Sequence, residues 1–338
     1  GNVLSTIGGS TGMVGSCSYR GKIAALAGAL LGAGLLAGCD AATTSAAQSL
    51  SASEHRAEAA RIGAQGSPQF ADPKLQAIVR DFEAEYARYG RDAEKLAADA
   101  GALCPLAPEE AFKLLKQVGY AEMQAEYAKW GVTSLTDLDA IEVRVVSGDC
   151  DAQGVEGPAE IVGRSRGILR TGSGELERVT VTDSVERIRG SWAGGERRGP
   201  FRTIAVSRSA SFEPGAAGGL AAEATDWAYL AEMRDAPTAM WLYMSHGPAF
   251  AADPVVTFTR NPEAALFGTT VVERRADGTG YSRMYQGSEL RMEGPTRNGK
   301  MHGWQVRHPH SWQGHAVAGG RDCWQDGELV KTTTCPGE

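Results

Sequence analysis

The stretch IRGSWAGGERRG, residues 188–199, decides the fold of the larger part of this chain, because its glycines have a spacing that suits a β-hairpin. Gly190, Gly195 and Gly199 stand at offsets of 0, 5 and 9 residues. Glycine adopts positive φ without strain and lets another group approach the backbone closely. Tight turns between antiparallel strands need the first property, and stacked hairpins need the second. We therefore expect a hairpin here, with Trp192 packing on its neighbour.

The same offsets recur in MEGPTRNGKMHG, residues 292–303, at Gly294, Gly299 and Gly303. A weaker third copy has one inserted residue, and a degraded fourth copy lies near Trp312; their glycines are Gly157, Gly163, Gly167, Gly314 and Gly319. The pattern resembles the MORN repeat, a hairpin unit with an aromatic-x-Gly opening and an Asn-Gly-Lys-x-x-Gly turn. The resemblance implies stacked antiparallel hairpins that make protein or lipid contacts and carry no chemistry. The alternative is a set of independent hairpin turns with similar glycines, since the two best copies lie 104 residues apart.

The sequence around these copies also favours short antiparallel strands. Segments rich in Val, Ile, Thr and Phe alternate with glycine-rich turns, at residues 141–146, 178–182, 201–207, 255–259, 270–274 and 289–292. Asp277-Gly278 is a strong hairpin-turn signal. We expect an antiparallel β repeat domain over residues 142–338, interrupted by an insertion at 215–235.

A helical domain is predicted over residues 67–141, which makes the fold class α+β. Asp72 and Pro73 suit a helix start, and Gly90 suits its end. The spacing predicts a second helix over 92–100, a third from Pro108 whose apolar stripe runs from Phe112 to residue 130, and a short helix near 135–138.

The start of the chain has the parts of a secretory signal. Residues 23–38 are apolar and uncharged, two basic residues precede them, and the run Leu-Ala-Gly-Cys closes the stretch at Cys39. This arrangement resembles the lipobox of bacterial lipoproteins, which implies that residues 1–38 are removed and that Cys39 carries the lipid. The alternatives are a buried helix or an ordinary signal with a chance cysteine. Residues 1–12 are interpreted as lying upstream of a natural start at Met13. Residues 39–66 are interpreted as a flexible tether, in which Ala and Glu would allow a short helix around residues 52–62.

The net charge of the chain limits the classes of molecule that it can bind electrostatically. The chain has a net charge of −7, which becomes −9 without residues 1–38, so electrostatic binding of nucleic acid is disfavoured.

Four cysteines follow Cys39, and an exported chain meets an oxidising compartment where disulfides form. Of the three possible pairings, the turn between Cys323 and Cys335 favours a local bridge, which leaves Cys104 with Cys150. Free buried thiols are the alternative.

Two motifs contain residue types that could form a catalytic site or a metal site. Ser165 lies in a Gly-x-Ser-x-Gly run, but glycines downstream disfavour the helix that a nucleophile elbow requires, and a hairpin turn explains the run better. His308 and His310 would share a strand face, where they could hold a metal ion, although no carboxylate stands at ligand spacing. Trp304, Trp312 and Trp324 suit either a hairpin core or a binding face.

Together these features predict a lipid-anchored envelope protein on the periplasmic side of a cell membrane. It would act as a binding or scaffolding module through its hairpin surface, with a protein partner, no nucleic acid, no cofactor, no metal and no catalytic residue. Asp40 resembles a signal for inner-membrane retention. The alternative is an envelope hydrolase or metal-dependent enzyme that uses Ser165 or the His308/His310 pair.

Overall fold

The computed structural model describes residues 51–129, 132–136, 138–171, 178–212, 239–246, 254–261, 265–312, 315–332 and 334–335. The predicted signal peptide, the lipidation site Cys39 and the insertion at 215–235 lie outside these residues. The described part combines helices with an antiparallel sheet.

In the described ranges, five helices precede most of the sheet. They are α1 (Ala52–Gln65), α2 (Pro73–Tyr89), α3 (Ala93–Ala97), α4 (Pro108–Lys116) and α5 (Tyr120–Ala128), and a 3-10 turn covers Leu138–Ala140. Asp72 caps α2 and Pro73 opens it, as the sequence predicts. Among the described residues, no helix combines the length and the apolar character needed to cross a membrane.

The strands follow one another along the chain. They are β1 (Val132–Thr136), β2 (Glu142–Asp151), β3 (Gly154–Thr171), β4 (Arg178–Ala193), β5 (Glu196–Phe212), β6 (Ala239–His246), β7 (Val255–Asn261), β8 (Leu266–Arg274), β9 (Thr279–Gln286), β10 (Glu289–Arg297), β11 (Lys300–Met301), β12 (Gly303–Arg307), β13 (His310–Trp312), β14 (His315–Val317), β15 (Gly320–Gln325) and β16 (Glu328–Val330). In the described part, fourteen of them form one antiparallel sheet, and β13 pairs with β14 separately. From β3 to β10 each strand pairs with the next in sequence, which is the topology of a meander. Both β1 and β2 pair with β3, one after the other along its edge.

The sheet lies between two layers of helices. Ile161 and Val162 are neighbours on β3, so their side chains point to opposite faces. On the first face, Val162 belongs to a buried cluster with Leu75 and Phe82 of α2, and Phe82 stacks on Phe258 of β7 with ring centroids 4.0 Å apart. On the second face, Ile161 packs with Leu115 of α4. Helices and strands therefore share their buried clusters.

Three local expectations differ from the structure. In the region predicted as a tether, the short helix that the sequence allowed around 52–62 is the capped helix α1, and it is not free, because Ile62 packs beside Ala265 and Phe267. The single helix predicted from Pro108 is broken into α4 and α5, because Gln117 adopts the left-handed conformation at the end of α4. Of the residues expected to be helical near 135–138, Leu135 and Thr136 end β1 and Leu138 begins the 3-10 turn.

The two best glycine copies form hairpins in which matching glycines have matching roles. Gly195 and Gly299 have positive φ at the turns that follow β4 and β10. Gly190 and Gly294 lie inside strands, where an added Cβ would come within 2.2 Å of Phe201 and 2.4 Å of Gln305. Gly199 and Gly303 also have positive φ. The third copy differs, because Gly163 and Gly167 lie in the middle of β3 and not at a turn.

Two disulfides join Cys104 to Cys150 and Cys323 to Cys335, which is the pairing expected from the sequence. The first fastens the segment after α3 to the end of β2, where Cys104 N–H also donates to the carbonyl of Val143 at 2.8 Å. The second closes a loop across β15 and β16. Each bridge fixes a segment at or near the edge of the sheet.

Candidate functional site

A cavity of about 320 Å³ lies between α3 and the first face of the sheet. Its walls come from the start of α3, from the 3-10 turn and from the neighbouring strands β3, β4 and β5. The side chains that matter below are Glu94, Ala140, Arg164, Arg166, Asp183, Val185 and Val206. This volume is at the lower end of the range typical of small-molecule sites.

The sheet register brings these side chains together. Arg164 and Arg166 are two residues apart on β3, so both point to the same face. Val185 lies opposite Arg164, and Asp183 lies opposite Arg166. On the next strand Val206 lies opposite Val185. Basic residues on β3 therefore meet an acid and an apolar surface on β4 and β5.

The helix supplies the remaining charge. The Asp92 carboxylate accepts hydrogen bonds from the N–H groups of Glu94 and Lys95, both at 3.0 Å, and so caps α3. Leu96 is fully buried in the core of the first face. The cap and the buried leucine together fix the helix against the sheet, with Glu94 beside Arg164.

Two bidentate ion pairs border the cavity. In the inner ion pair, Arg166 donates to both carboxylate oxygens of Asp183 at 2.6 and 3.1 Å. In the outer ion pair, Arg164 donates to both oxygens of Glu94 at 3.0 and 2.8 Å, and this hydrogen bonding raises the pKa of Arg164. The Arg166 side chain is 7% exposed, whereas that of Glu94 is 78% exposed. The inner pair thus lies in the protein and the outer pair toward solvent.

A second charge cluster borders the same face. Arg187 of β4 donates to the carbonyl of Leu96 at 3.0 Å and to the carboxylates of Asp99 and Glu160. Hydrogen bonding to Arg187 lowers the pKa of Asp99. Burial alone would raise the pKa of Glu160, but hydrogen bonds from Arg189 and Arg187 outweigh burial and lower it. This cluster joins the segment after α3 to the sheet and so supports one wall of the cavity.

Ser165 does not have the setting of a nucleophile elbow. It lies within β3 opposite Ser184, and the strand continues without a turn on both sides. Its side chain is buried, and among the described residues its Oγ has no hydrogen-bond partner. Strand alternation points it to the second face, away from the two arginines that flank it. The hairpin turn expected here is therefore wrong, and so is the turn geometry that the hydrolase alternative needs.

The two histidines are joined to different partners. His308 Nε2 lies 2.9 Å from Glu293 Oε1, and His310 Nδ1 lies 2.8 Å from the carbonyl oxygen of His308. Tyr281 donates to the other oxygen of Glu293 at 3.1 Å. Throughout the described ranges, no group of three or more His, Cys, Asp or Glu side chains is placed to hold a metal ion.

The tryptophans divide between core and surface. Trp192 and Trp324 are buried, and Trp304 is partly buried. Trp192 contacts the edge of Phe201, with ring centroids 5.2 Å apart. The side chain of Trp312 lies outside the described residues.

The cavity residues were missed by sequence reasoning, although one signal was present. Arg164 and Arg166 flank Ser165 in the run examined for a nucleophile. Two arginines at alternate positions of a strand point to the same face and indicate a shared charged surface. Their partners, Asp183 and Glu94, are set by strand register and helix packing, which the local pattern does not contain.

Comparison with known proteins gives no relative from which a function could be transferred. No protein-family model, no curated protein and no solved structure matches the chain.

Proposed function

We propose that this chain is an exported binding protein, held at the periplasmic side of an envelope membrane by a lipid on Cys39. Its helices and MORN-like hairpins would form a rigid frame, and the cavity would hold a small ligand. The observation that carries the proposal is the cavity of about 320 Å³ with two ordered ion pairs at its border. A protein partner at the hairpin surface stays a prediction.

The arrangement of the walls supports binding. All three strands that form the floor belong to one continuous sheet, and the helical wall is fixed by Leu96 and by the Arg187 cluster. Sites on regular elements hold their side chains more precisely than sites on loops. Binding then needs little reorganisation, which lowers the entropic cost of taking up a ligand.

The disulfides support export. Disulfides persist in oxidising compartments and are rare in the bacterial cytosol. The Leu-Ala-Gly-Cys run gives a route to such a compartment and a lipid attachment point at Cys39. Two acyl chains are enough for stable anchoring to a membrane.

Binding is tested with the purified full chain in detergent and a chemically mixed set of small molecules, by ligand-observed NMR. Ala140 lines the cavity and is partly exposed, so Ala140→Phe fills the cavity from its edge. We expect some compounds to bind the wild type and to lose binding in this variant. The control is Ala125→Phe on α5, at an exposed position that does not line the cavity. If every compound binds both proteins equally, the cavity is not a binding site.

Anchoring is tested separately by labelling cells with radioactive palmitate. The wild-type chain should take up label and fractionate with membranes, and Cys39→Ala should do neither. A chain that keeps residues 1–38 and no lipid would refute the export part of the proposal and leave the binding part to its own test.

A further inference from the structure

The charged side chains that line the cavity already compensate one another. The inner ion pair joins Arg166 to both carboxylate oxygens of Asp183. The outer ion pair joins Arg164 to both oxygens of Glu94 in the same way. Asp92, which also lines the cavity, accepts from N–H groups in the first turn of α3. A charged ligand would therefore either displace one of these partners or lie beside groups of its own sign, and both are unfavourable.

The two ion pairs leave hydrogen-bonding capacity that a neutral ligand can use. A guanidinium has five N–H groups and a carboxylate has about four lone-pair sites, and a bidentate pair uses two of each. Arg164 thus keeps about three N–H donors, and its side chain is 38% exposed. In the described part of the chain only Arg166 donates to Asp183, which therefore keeps about two acceptor sites at 33% exposure. The border of the cavity offers both a donor and an acceptor.

Strand pairing places this donor and this acceptor within reach of one small molecule. Asp183 lies opposite Arg166, which is two residues from Arg164 on β3, so Arg164 and Asp183 are diagonal neighbours on the first face. Diagonal neighbours on adjacent strands are about 7–8 Å apart. A hydroxyl group can accept one hydrogen bond and donate another. A ligand with several hydroxyl groups can therefore bind both residues while both ion pairs stay intact.

Apolar and aromatic ligands find little to contact in the cavity. Val185 and Val206 are 6% and 1% exposed, so protein already covers most of their side chains. Ala93 and Ala140 are partly exposed but small. Among the described residues that line the cavity none is aromatic, so a flat ring has no partner for stacking. Hydrogen bonding, and not apolar burial, is then the main source of affinity.

We propose that the cavity binds a small neutral polyol, whose hydroxyl groups accept from Arg164 and donate to Asp183. This inference rests on the proposed binding function and names its ligand class. Hydrogen bonds to charged groups are stronger than those between neutral groups, so a few of them can hold an uncharged ligand. The volume of about 320 Å³ limits the ligand to a small molecule.

The test uses four matched probes in calorimetric titrations of the full chain, in a detergent without a sugar headgroup. D-glucitol is neutral and has six hydroxyl groups, and hexane-1,6-diol has the same carbon chain with only two. D-gluconate adds a carboxylate, and 1-amino-1-deoxy-D-glucitol adds an ammonium group. We expect D-glucitol to bind at least about tenfold more tightly than each analogue, because the diol loses hydrogen bonds to charged groups and the other two place a charge beside its own sign. An analogue that binds as tightly as D-glucitol would overturn the inference.

Two variants separate ligand recognition from the structural role of the outer ion pair. Arg164→Met and Glu94→Gln both break the ion pair, but only Arg164→Met removes the hydrogen-bond donors. The pair is exposed, so its loss should change the midpoint of thermal unfolding little in either variant. We expect Arg164→Met to weaken D-glucitol by about tenfold or more, and Glu94→Gln to change it by less than about threefold. If both variants weaken D-glucitol equally, or neither does, Arg164 does not recognise the ligand and the inference is wrong.

The outcomes distinguish this inference from the function on which it rests. If other compounds bind and are lost in Ala140→Phe, while D-glucitol binds no better than its analogues, the ligand class is wrong and the binding function stands. If no compound is lost in that variant, both fail. If D-glucitol is preferred and Arg164→Met alone weakens it, both are supported.

Discussion

Gly190→Ala is the sharpest test of why the glycine spacing recurs. Gly190 lies inside β4, where residue propensity favours alanine over glycine by about 0.5–1 kcal/mol. The added Cβ would come within 2.2 Å of Phe201 on β5, against an ordinary carbon contact of about 3.5–4 Å. The ring would have to move by about 1.3 Å or more. It is 3% exposed and contacts the buried Trp192, so it has little room.

The free-energy cost of the steric overlap should therefore exceed the gain from replacing glycine by alanine in a strand. Overpacking of a buried site costs about 1–3 kcal/mol, and an overlap this close belongs at the upper end. After the propensity gain of up to about 1 kcal/mol, we expect a net loss of about 2 kcal/mol in unfolding free energy. Phe201→Leu shortens the overlapping side chain. In that background the cost of Gly190→Ala should fall below about 0.5 kcal/mol, which is a coupling of about 1.5 kcal/mol between two contacting residues.

Urea denaturation followed by tryptophan fluorescence measures all four corners of this cycle. Gly194→Ala is the control, because its site has φ of 60° and no atom within 4 Å of the added Cβ. It should cost about 1–2 kcal/mol from backbone strain, and Phe201→Leu should not change that cost. If Gly190→Ala is neutral, or costs the same in both backgrounds, close packing is not the reason for glycine at this position.

Three further predictions concern the charges and bridges. Glu160→Gln should lower the unfolding free energy at pH 7 by about 2–3 kcal/mol, because two arginines lose their shared carboxylate. Since the folded-state pKa of Glu160 is lowered, its stabilisation is present above the ordinary pKa of about 4.3 and is lost as the pH falls through the lowered value. Acid titration of stability should therefore be steeper in the wild type than in Glu160→Gln; parallel curves would contradict this. In the chain-entropy model, removing both cysteines of the Cys104 bridge should lower the unfolding free energy by about 4 kcal/mol, and removing those of the Cys323 bridge by about 3 kcal/mol. The order follows from their sequence separations of 46 and 12 residues. Urea midpoints in the reverse order would contradict the ranking. Arg260 lies over the rings of Phe82 and Phe258, and burial lowers its pKa to about 10. Arg260→Lys should lower the unfolding free energy by about 1–2 kcal/mol, because lysine loses the stacked guanidinium. An unchanged midpoint of thermal unfolding would contradict a stacking role.

The sequence predicts elements well where the signal is local. Asp72 and Pro73 mark the start of α2, and Asp277-Gly278 marks the turn between β8 and β9, because capping and turn chemistry act within a few residues. The offsets of 0, 5 and 9 likewise mark two hairpins. Element lengths were less predictable: β3 runs for 18 residues, more than twice any predicted strand segment. Pairing on both sides of β3 supports glycines that look like breaks in the sequence.

Long-range packing explains the larger misses. Nothing local shows that Ile62 docks on Phe267 about 200 positions later, so the polar composition suggested a tether with at most a short undocked helix around residues 52–62. The break after α4 depends on the left-handed Gln117, a conformation that glutamine rarely adopts without tertiary support. In both places the decisive contact lies outside any window that a periodicity argument examines.

The cavity could not be predicted from a local sequence pattern either, because strand register determines which side chains form its border. The run Gly-Arg-Ser-Arg-Gly presents either its serine or its two arginines to a given face, and a shift of one residue exchanges them. The pairing of Arg166 with Asp183 places both arginines under α3 and turns Ser165 to the other side. Read as a local motif, the run suggests a nucleophile; placed in its register, it supplies a charged border for a cavity. A shift of β3 by one residue would place Ser165 at the border of the cavity and turn both arginines to the second face.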